Sequence, residues 1–179
     1  MTPTVTSGVV FWDDFDPVKE SWTHSASQGI DDWGPSTARS HSPVTSYFSS
    51  EPATVKDDYL LTRVITVPVN GQLTFWHTYQ MENGFDGSVI EISTDGGAIF
   101  SDLGSHITSG GYTGVISRGS PIAGRQAWTG GTLGVWSQVV VDLGTYADQN
   151  VILRFRMASD NGKAGLGWYI DDVRVAGTG

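Results

Sequence analysis

The sequence predicts an all-β domain, a two-sheet antiparallel β-sandwich of jelly-roll type. Three observations carry this reading. Short runs rich in Val, Ile, Phe, Tyr and Trp recur along the chain, bounded by Gly, Pro, Asn and Asp. No segment sustains a helical period. Turn signals return every few residues, as short sandwich strands require. The 179 residues suffice for one domain with a sizeable core, so 1–179 reads as a single unit with its core at about 8–176. The stretches 2–8 and 177–179 read as linker stubs.

The elements follow in order. Residues 9–12 form a short apolar run closed by Asp13-Asp14-Phe15-Asp16-Pro17, and runs at 46–49 and 59–67 come next. Pro68-Val69-Asn70-Gly71 is a turn, and Asn-Gly is a strong hairpin signal. Beyond it Leu73, Phe75, His77, Tyr79 and Met81 alternate with Thr74, Trp76, Thr78, Gln80 and Glu82, which predicts one buried and one open face. A strand at 87–93 turns through Asp95-Gly96-Gly97 into 98–103. Strands at 136–143, 151–158 and 165–175 complete the set. The stretch 104–134 is rich in Gly, Ser and Thr, and a loop of that length is commonly functional. Within it, 112–116 reads as a short strand.

Composition excludes several functions. The net charge of -9 argues against binding the phosphate backbone of nucleic acid or an anionic membrane. The chain has no cysteine, so disulfides, thiolate metal sites and a Cys nucleophile are ruled out. No apolar run approaches the roughly 20 residues that span a bilayer, and the first residues lack a signal-peptide pattern.

The last strand is unusual. Trp168 and Ile170 share one face, whereas Val173 and Val175 share the other, so strict alternation fails at Asp171-Asp172. A bulge there absorbs the change of phase. Two carboxylates at such a point need a partner, and a hard cation bound by oxygen is the first candidate. The opposing view is that these acids cap turns and face solvent.

The order of short motifs resembles the MAM-type jelly-roll domains and their bacterial relatives. The resemblance rests on Asp14-Phe15-Asp16, Ser21-Trp22, Asp31-Asp32-Trp33, Tyr59-Leu60-Leu61, Glu82 with Asp86-Gly87, the hairpin Ser93 to Gly97, the loop Ile122 to Trp128, and the closing Gly167 to Val173. It covers nearly the whole chain, and the absence of cysteine favours the bacterial branch. It implies a domain appended to secreted peptidases or surface proteins, with no catalysis of its own and a calcium ion between the first and last strands. The expected ligand set is Asp14, Asp16, Glu82, Asp86, Asp171 and Asp172, with Asp13 nearby.

Aromatic residues are the second candidate for function. Tyr112, Arg125 and Trp128 lie in the long loop, where an exposed ring stacks on a sugar and Arg binds its hydroxyls. Against this, Trp128 also reads as a plug that seats the loop on the sandwich. Trp12, Trp22, Trp33, Trp76, Trp136 and Trp168 sit within or beside strand patterns and read as mostly core. Arg154 and Arg156 share one side of their strand, either as a recognition ladder or as a solvated face that offsets acids. Catalytic signatures are weak: the four histidines are scattered, and there is no His-Glu-x-x-His, nucleophile elbow or phosphate loop. A Glu82/Glu91 pair is the only dyad that a glycoside hydrolase reading can use.

The expected function is therefore non-catalytic. The chain reads as a secreted or surface-exposed, calcium-stabilised module that binds an extracellular glycan or protein, contacting it through 104–134. An alternative is a structural accessory domain of a secreted peptidase, or a subunit of an extracellular fibre. A parent chain with neighbouring domains is expected in the first case.

Overall fold

A computed structural model describes residues 8–177, so the expected linker stubs lie largely outside the described residues. Two antiparallel sheets pack into a sandwich. One holds β1 (Val9–Asp13), β3 (Gly34–Ser36), β4 (Ser46–Ser49), β7 (Gly71–Gln80), β10 (Ile107–Ser109), β13 (Ser137–Asp142) and β15 (Gly167–Gly177). The other holds β2 (Thr23–Gln28), β5 (Lys56–Leu61), β6 (Ile65–Thr66), β8 (Gly87–Ser93), β9 (Ser101–Asp102) and β14 (Asn150–Ser159). The fold class expected from the sequence is the one observed.

The centres of both sheets are the strands with the clearest alternation. In β7, Leu73, Phe75 and His77 are buried and face inward, and in β14 so are Leu153, Phe155 and Met157. Trp168 and Ile170 of β15 join them, and the Trp168 indole donates to His77 Nδ1 at 3.0 Å. Burial pushes the His77 imidazole down to about 3, so this histidine is a neutral packing residue.

The long chain segment 104–134 is more ordered than its composition suggests. It opens with a 3-10 turn, adds β10 to the edge of the first sheet beside β13, and then forms a hairpin of β11 (Gly114–Val115) and β12 (Gln126–Ala127). Ile116, Ile122 and Ala127 from this hairpin pack on Val89 and Ala158, which share the outward face of the second sheet with Arg156. The segment is thus a lid on one sheet face, held by its own small apolar cluster.

Several local readings change. Strands β2 and β3 are polar and short and give no apolar run. The run 59–67 is divided, β5 pairing with β14 and then β6 pairing further along β14. Asn70 adopts the left-handed conformation, at φ 53, but its turn links β6 to β7 in different sheets and makes no hairpin. Trp12, expected in the core, is 40% exposed because β1 is an edge strand and turns it outward.

Candidate functional site

The closing strand shows the expected irregularity. Its pairing with β7 slips between Asp171 and Arg174, and Asp172 sits at φ 50, a left-handed position. Along the other edge of β15, β1 pairs below the slip and β4 above it, so the bulge marks the seam between two short partners. The first and last strands are neighbours, as expected.

The acids at this seam are occupied by the protein itself. Asp13 is fully buried and accepts from the backbone N–H groups of Phe15, Lys19 and Glu20 and from the Trp22 indole, at 2.8–3.0 Å. Asp14 pairs with the Lys19 ammonium, which lowers its pKa against the opposing effect of burial. Asp16 accepts from the Thr45 N–H at 2.9 Å. Asp171 accepts from the backbone N–H groups of His41 and Ser42, at 2.8 and 3.1 Å, and Asp172 engages the side chains of the same two residues. Burial first, and the Asp172 charge second, push Asp171 up to about 7. The chain ends are clasped by the β1–β15 backbone pairing, and the acids beside it are satisfied by hydrogen bonds from neighbouring loops.

The structure does not bring the six expected ligands together. Gln80, just before Glu82, pairs with Gly167, whereas Asp171 lies four residues further along β15, roughly 13 Å away at 3.3 Å per residue. A single ion cannot bridge that distance. Among the described residues, the acids and histidines that bring ligand atoms within 4.8 Å of one another are Glu82, Asp86 and Asp160.

Three loops build this cluster. The turn after β7 carries Glu82 and Asp86, tied by the Asp86 N–H donating to the Glu82 carbonyl at 3.0 Å. The loop after β14 supplies Asp160, whose N–H donates to Asp86 Oδ1 at 2.7 Å. The residues after β4 add Glu51, whose Oε1 accepts from the Glu82 N–H at 3.2 Å. Glu51 is 3% and Asp86 0% exposed. One oxygen of each acid is buried without a protein donor: Glu51 Oε2, Glu82 Oε2, Asp86 Oδ2 and Asp160 Oδ1. No Lys, Arg or His is paired with any of the four among the described residues. Burial, and a proton shared with Asp86, push Glu51 up to about 9, and burial also raises Asp86.

The backbone leaves room for this group. A Cβ on Gly165 would lie 1.6 Å from Glu51 Oε2, and one on Gly162 would lie 2.7 Å from Asp160 Oδ1 and 3.2 Å from Glu82 Oε2. Four acids with orphaned oxygens, all hard donors, converge where the main chain approaches them most closely. Of these, Glu82, Asp86 and Asp160 are placed so that they could hold a metal ion, with Glu51 beside them. Sequence reasoning found Glu82 and Asp86 but missed Glu51 and Asp160. Their signal was an acid just past a strand end, Asp160 beside Gly162, which is legible only once β4 and β14 are known to end side by side.

The aromatic candidates are placed differently from the sugar-platform expectation. Trp128 is 1% exposed, reaching the core against Phe75 and His77, and its indole donates to the Gly110 carbonyl at 2.9 Å. Tyr112 is half-buried, stacked edge-on against Trp128, with its hydroxyl on Asp102 and Ile90. Arg125 pairs with Glu91 and Asp102 at 2.9 and 2.7 Å. The plug reading of Trp128 describes what the structure shows, because an indole that finds both apolar walls and a carbonyl is better buried than exposed. Arg154 and Arg156 also converge on Glu91, and Arg156 grips Asp57 with two bonds. Glu91, held by three arginines, has no room for a role in a dyad with Glu82.

A β-sandwich with a buried acid cluster at one loop end is thus the frame for comparison. No family model matches the chain. Over 96% of its length it is 26% identical to Bacillopeptidase F of Bacillus subtilis (strain 168), and it spans 11% of the length of that protein. Among solved structures, the K1 cleaved adhesin domain of Lys-gingipain from Porphyromonas gingivalis W83 is similar, with a TM-score of 0.60 and 19% identity over 94% of this chain and 98% of that one. The family 22 carbohydrate-binding module of Clostridium thermocellum Xyn10B has a TM-score of 0.54 and 12% identity over 97% of each chain. TmCBM61, solved with β-1,4-galactotriose, has a TM-score of 0.53 and 15% identity over 90% of this chain and 89% of that one.

Proposed function

We propose that this chain is a non-catalytic, calcium-stabilised binding module, secreted or displayed at a cell surface as part of a larger protein, and that its ligand is a glycan. The observation that carries the reading is the buried cluster of Glu51, Glu82, Asp86 and Asp160. Four acids with unmet oxygens and no basic partner are poor catalysts and poor packing, but they suit an oxygen-bound dication. Glu51 and Asp86 sit deepest, and Glu82 and Asp160 complete the ring from the two loops. Calcium would supply charge neutralisation and would tie three loops of the same end together.

Support for binding comes from the likeness to cleaved adhesin and carbohydrate-binding domains, and from the match to 11% of the length of a peptidase. The motif order that resembles MAM-type domains fits the same reading. No helix among the described residues is long and apolar enough to cross a membrane. The test is direct. Melting of the purified domain is followed in calcium and in chelator, and retention is measured on insoluble xylan and galactan. A calcium-dependent rise in melting temperature, lost in Asp86→Asn, supports the module; identical melting in calcium and chelator overturns it.

A further inference from the structure

The same loop end carries a groove of about 530 Å³ that no residue of the clasp or of the arginine network reaches. Its lining includes Gln80, Glu82, Asn83, Thr113, Gly131 and Lys163. A second hollow of about 240 Å³, bordered by Tyr79, Thr132, Val135 and Ser137, shares Gly131 with it, so the two run on from one another. The larger one alone is within the 300–1,000 Å³ usual for small-ligand sites.

The groove walls hang from the acid cluster. One wall is the turn Glu82-Asn83, and the other is the loop that leaves Asp160 and carries Lys163 and Ala164. Between them lies a floor of Thr129, Gly130 and Gly131. Thr129 staples this floor to the first wall: its hydroxyl donates to the Asp86 carbonyl at 2.6 Å and accepts from the Gly84 N–H at 2.9 Å. Gly131 is fixed as glycine, at φ 88, with a would-be Cβ 2.5 Å from the Tyr79 carbonyl and 2.6 Å from its ring. The floor is held by these contacts, and Glu82 and Asp160, one at the root of each wall, bring ligand atoms within 4.8 Å of each other.

We propose that this groove is the saccharide site of the module, and that the cation held between Glu82 and Asp160 sets its width. The inference rests on the calcium-stabilised binding reading above. The lining is mostly amide, hydroxyl and backbone, with one ammonium and one carboxylate, and the Asn83 and Lys163 side chains have no partner among the described residues. Such a surface matches the mixed donors and acceptors of sugar hydroxyls. A neutral saccharide fits best: the groove sets one ammonium, Lys163, against the Glu82 carboxylate in its lining, and the chain carries a net charge of -9, which is unfavourable to a polyanion. Cation and sugar then bind with positive, reciprocal linkage.

The experiment titrates the domain with xylotriose, cellotriose and galactotriose by calorimetry, in calcium and in chelator. Asn83→Ala, Lys163→Ala and Ala164→Trp are compared, the last filling the groove from an exposed position. At least one triose is expected to bind in calcium and to weaken at least about tenfold in chelator; Asn83→Ala and Lys163→Ala each lose about tenfold, as for one good hydrogen bond. Ala164→Trp abolishes binding while keeping the calcium-induced rise in melting temperature, which shows the fold and cation site intact. Unchanged affinity in all three variants moves the sugar site elsewhere and leaves the module reading standing. Equal affinity with and without calcium overturns the linkage. Silence from all three trioses in saturating calcium overturns the saccharide assignment. Loss of the calcium melting shift in the unmodified domain would instead sink the underlying reading.

Discussion

Two groups of acids lie along β15, one at its mid-strand bulge and one beside its start, and they differ in what surrounds them. At the bulge, Asp13, Asp171 and Asp172 accept from backbone N–H groups, an indole, a hydroxyl and an imidazole. At the strand's start, Glu51, Glu82, Asp86 and Asp160 keep one oxygen each without a donor. Proximity of carboxylates is common to both. What separates a hydrogen-bonded clasp from a candidate cation site is the count of unmet acceptors, since a buried acceptor without a partner is costly and a dication repays that cost at several atoms at once.

The comparison can be broken at either end. The largest effect is expected at the clasp. Asp13→Ala leaves four donors unpaired, one of them fully buried, and should cost about 3–5 kcal/mol in urea unfolding, equally in calcium and in chelator. A calcium-dependent cost would mean that Asp13 belongs to the cation site. Next comes calcium itself. At a hundredfold excess over its Kd it should add about 2.7 kcal/mol, or roughly 5–10 °C in melting temperature. Glu51→Gln should remove most of that gain, and Asp172→Ala none of it.

A smaller effect is the dependence on pH. In the metal-free protein Glu51 titrates near 9, against 4.5 when unfolded, so the folded state keeps a proton that the unfolded chain has lost. Its contribution is complete below about 4.5 and is lost as pH rises towards 9. Metal-free stability should therefore fall between pH 7 and 9, and saturating calcium, which binds the ionised form, should flatten that slope. Chemical denaturation at several pH values checks this. The smallest effect is at Asp171, which titrates near 7 rather than 3.8. Its contribution is complete below about 3.8 and is lost as pH rises towards 7, so Asp171→Asn should gain on the wild type as pH rises from 4 to 8, with or without calcium.

Much of the fold was legible in the sequence. The alternation through β7, the change of phase at Asp171-Asp172 and the Asp95-Gly96-Gly97 hairpin each express a local rule, and each has its counterpart in the structure. Strands β2 and β3 were not legible, because polar edge strands are held by neighbouring backbone and carry no apolar pattern. The site was half legible. Glu82 and Asp86 are four residues apart on one turn, but Glu51 and Asp160 follow strands far away in sequence.

By itself, then, the sequence determined the class of the fold and the presence of more acids than basic partners. Those follow from periodicity and composition, which act residue by residue. Only the tertiary structure decided which acids are satisfied. Asp13 and Asp171 meet N–H groups from loops that fold over them, whereas Gly162 and Gly165 bring the main chain so close to Glu51, Glu82 and Asp160 that no donor side chain can enter. The same packing drew Trp128 into the core and left the groove beside the acid cluster open. Hydrogen-bond partners supplied by distant segments, and the space that a missing Cβ leaves, are properties of the assembled chain.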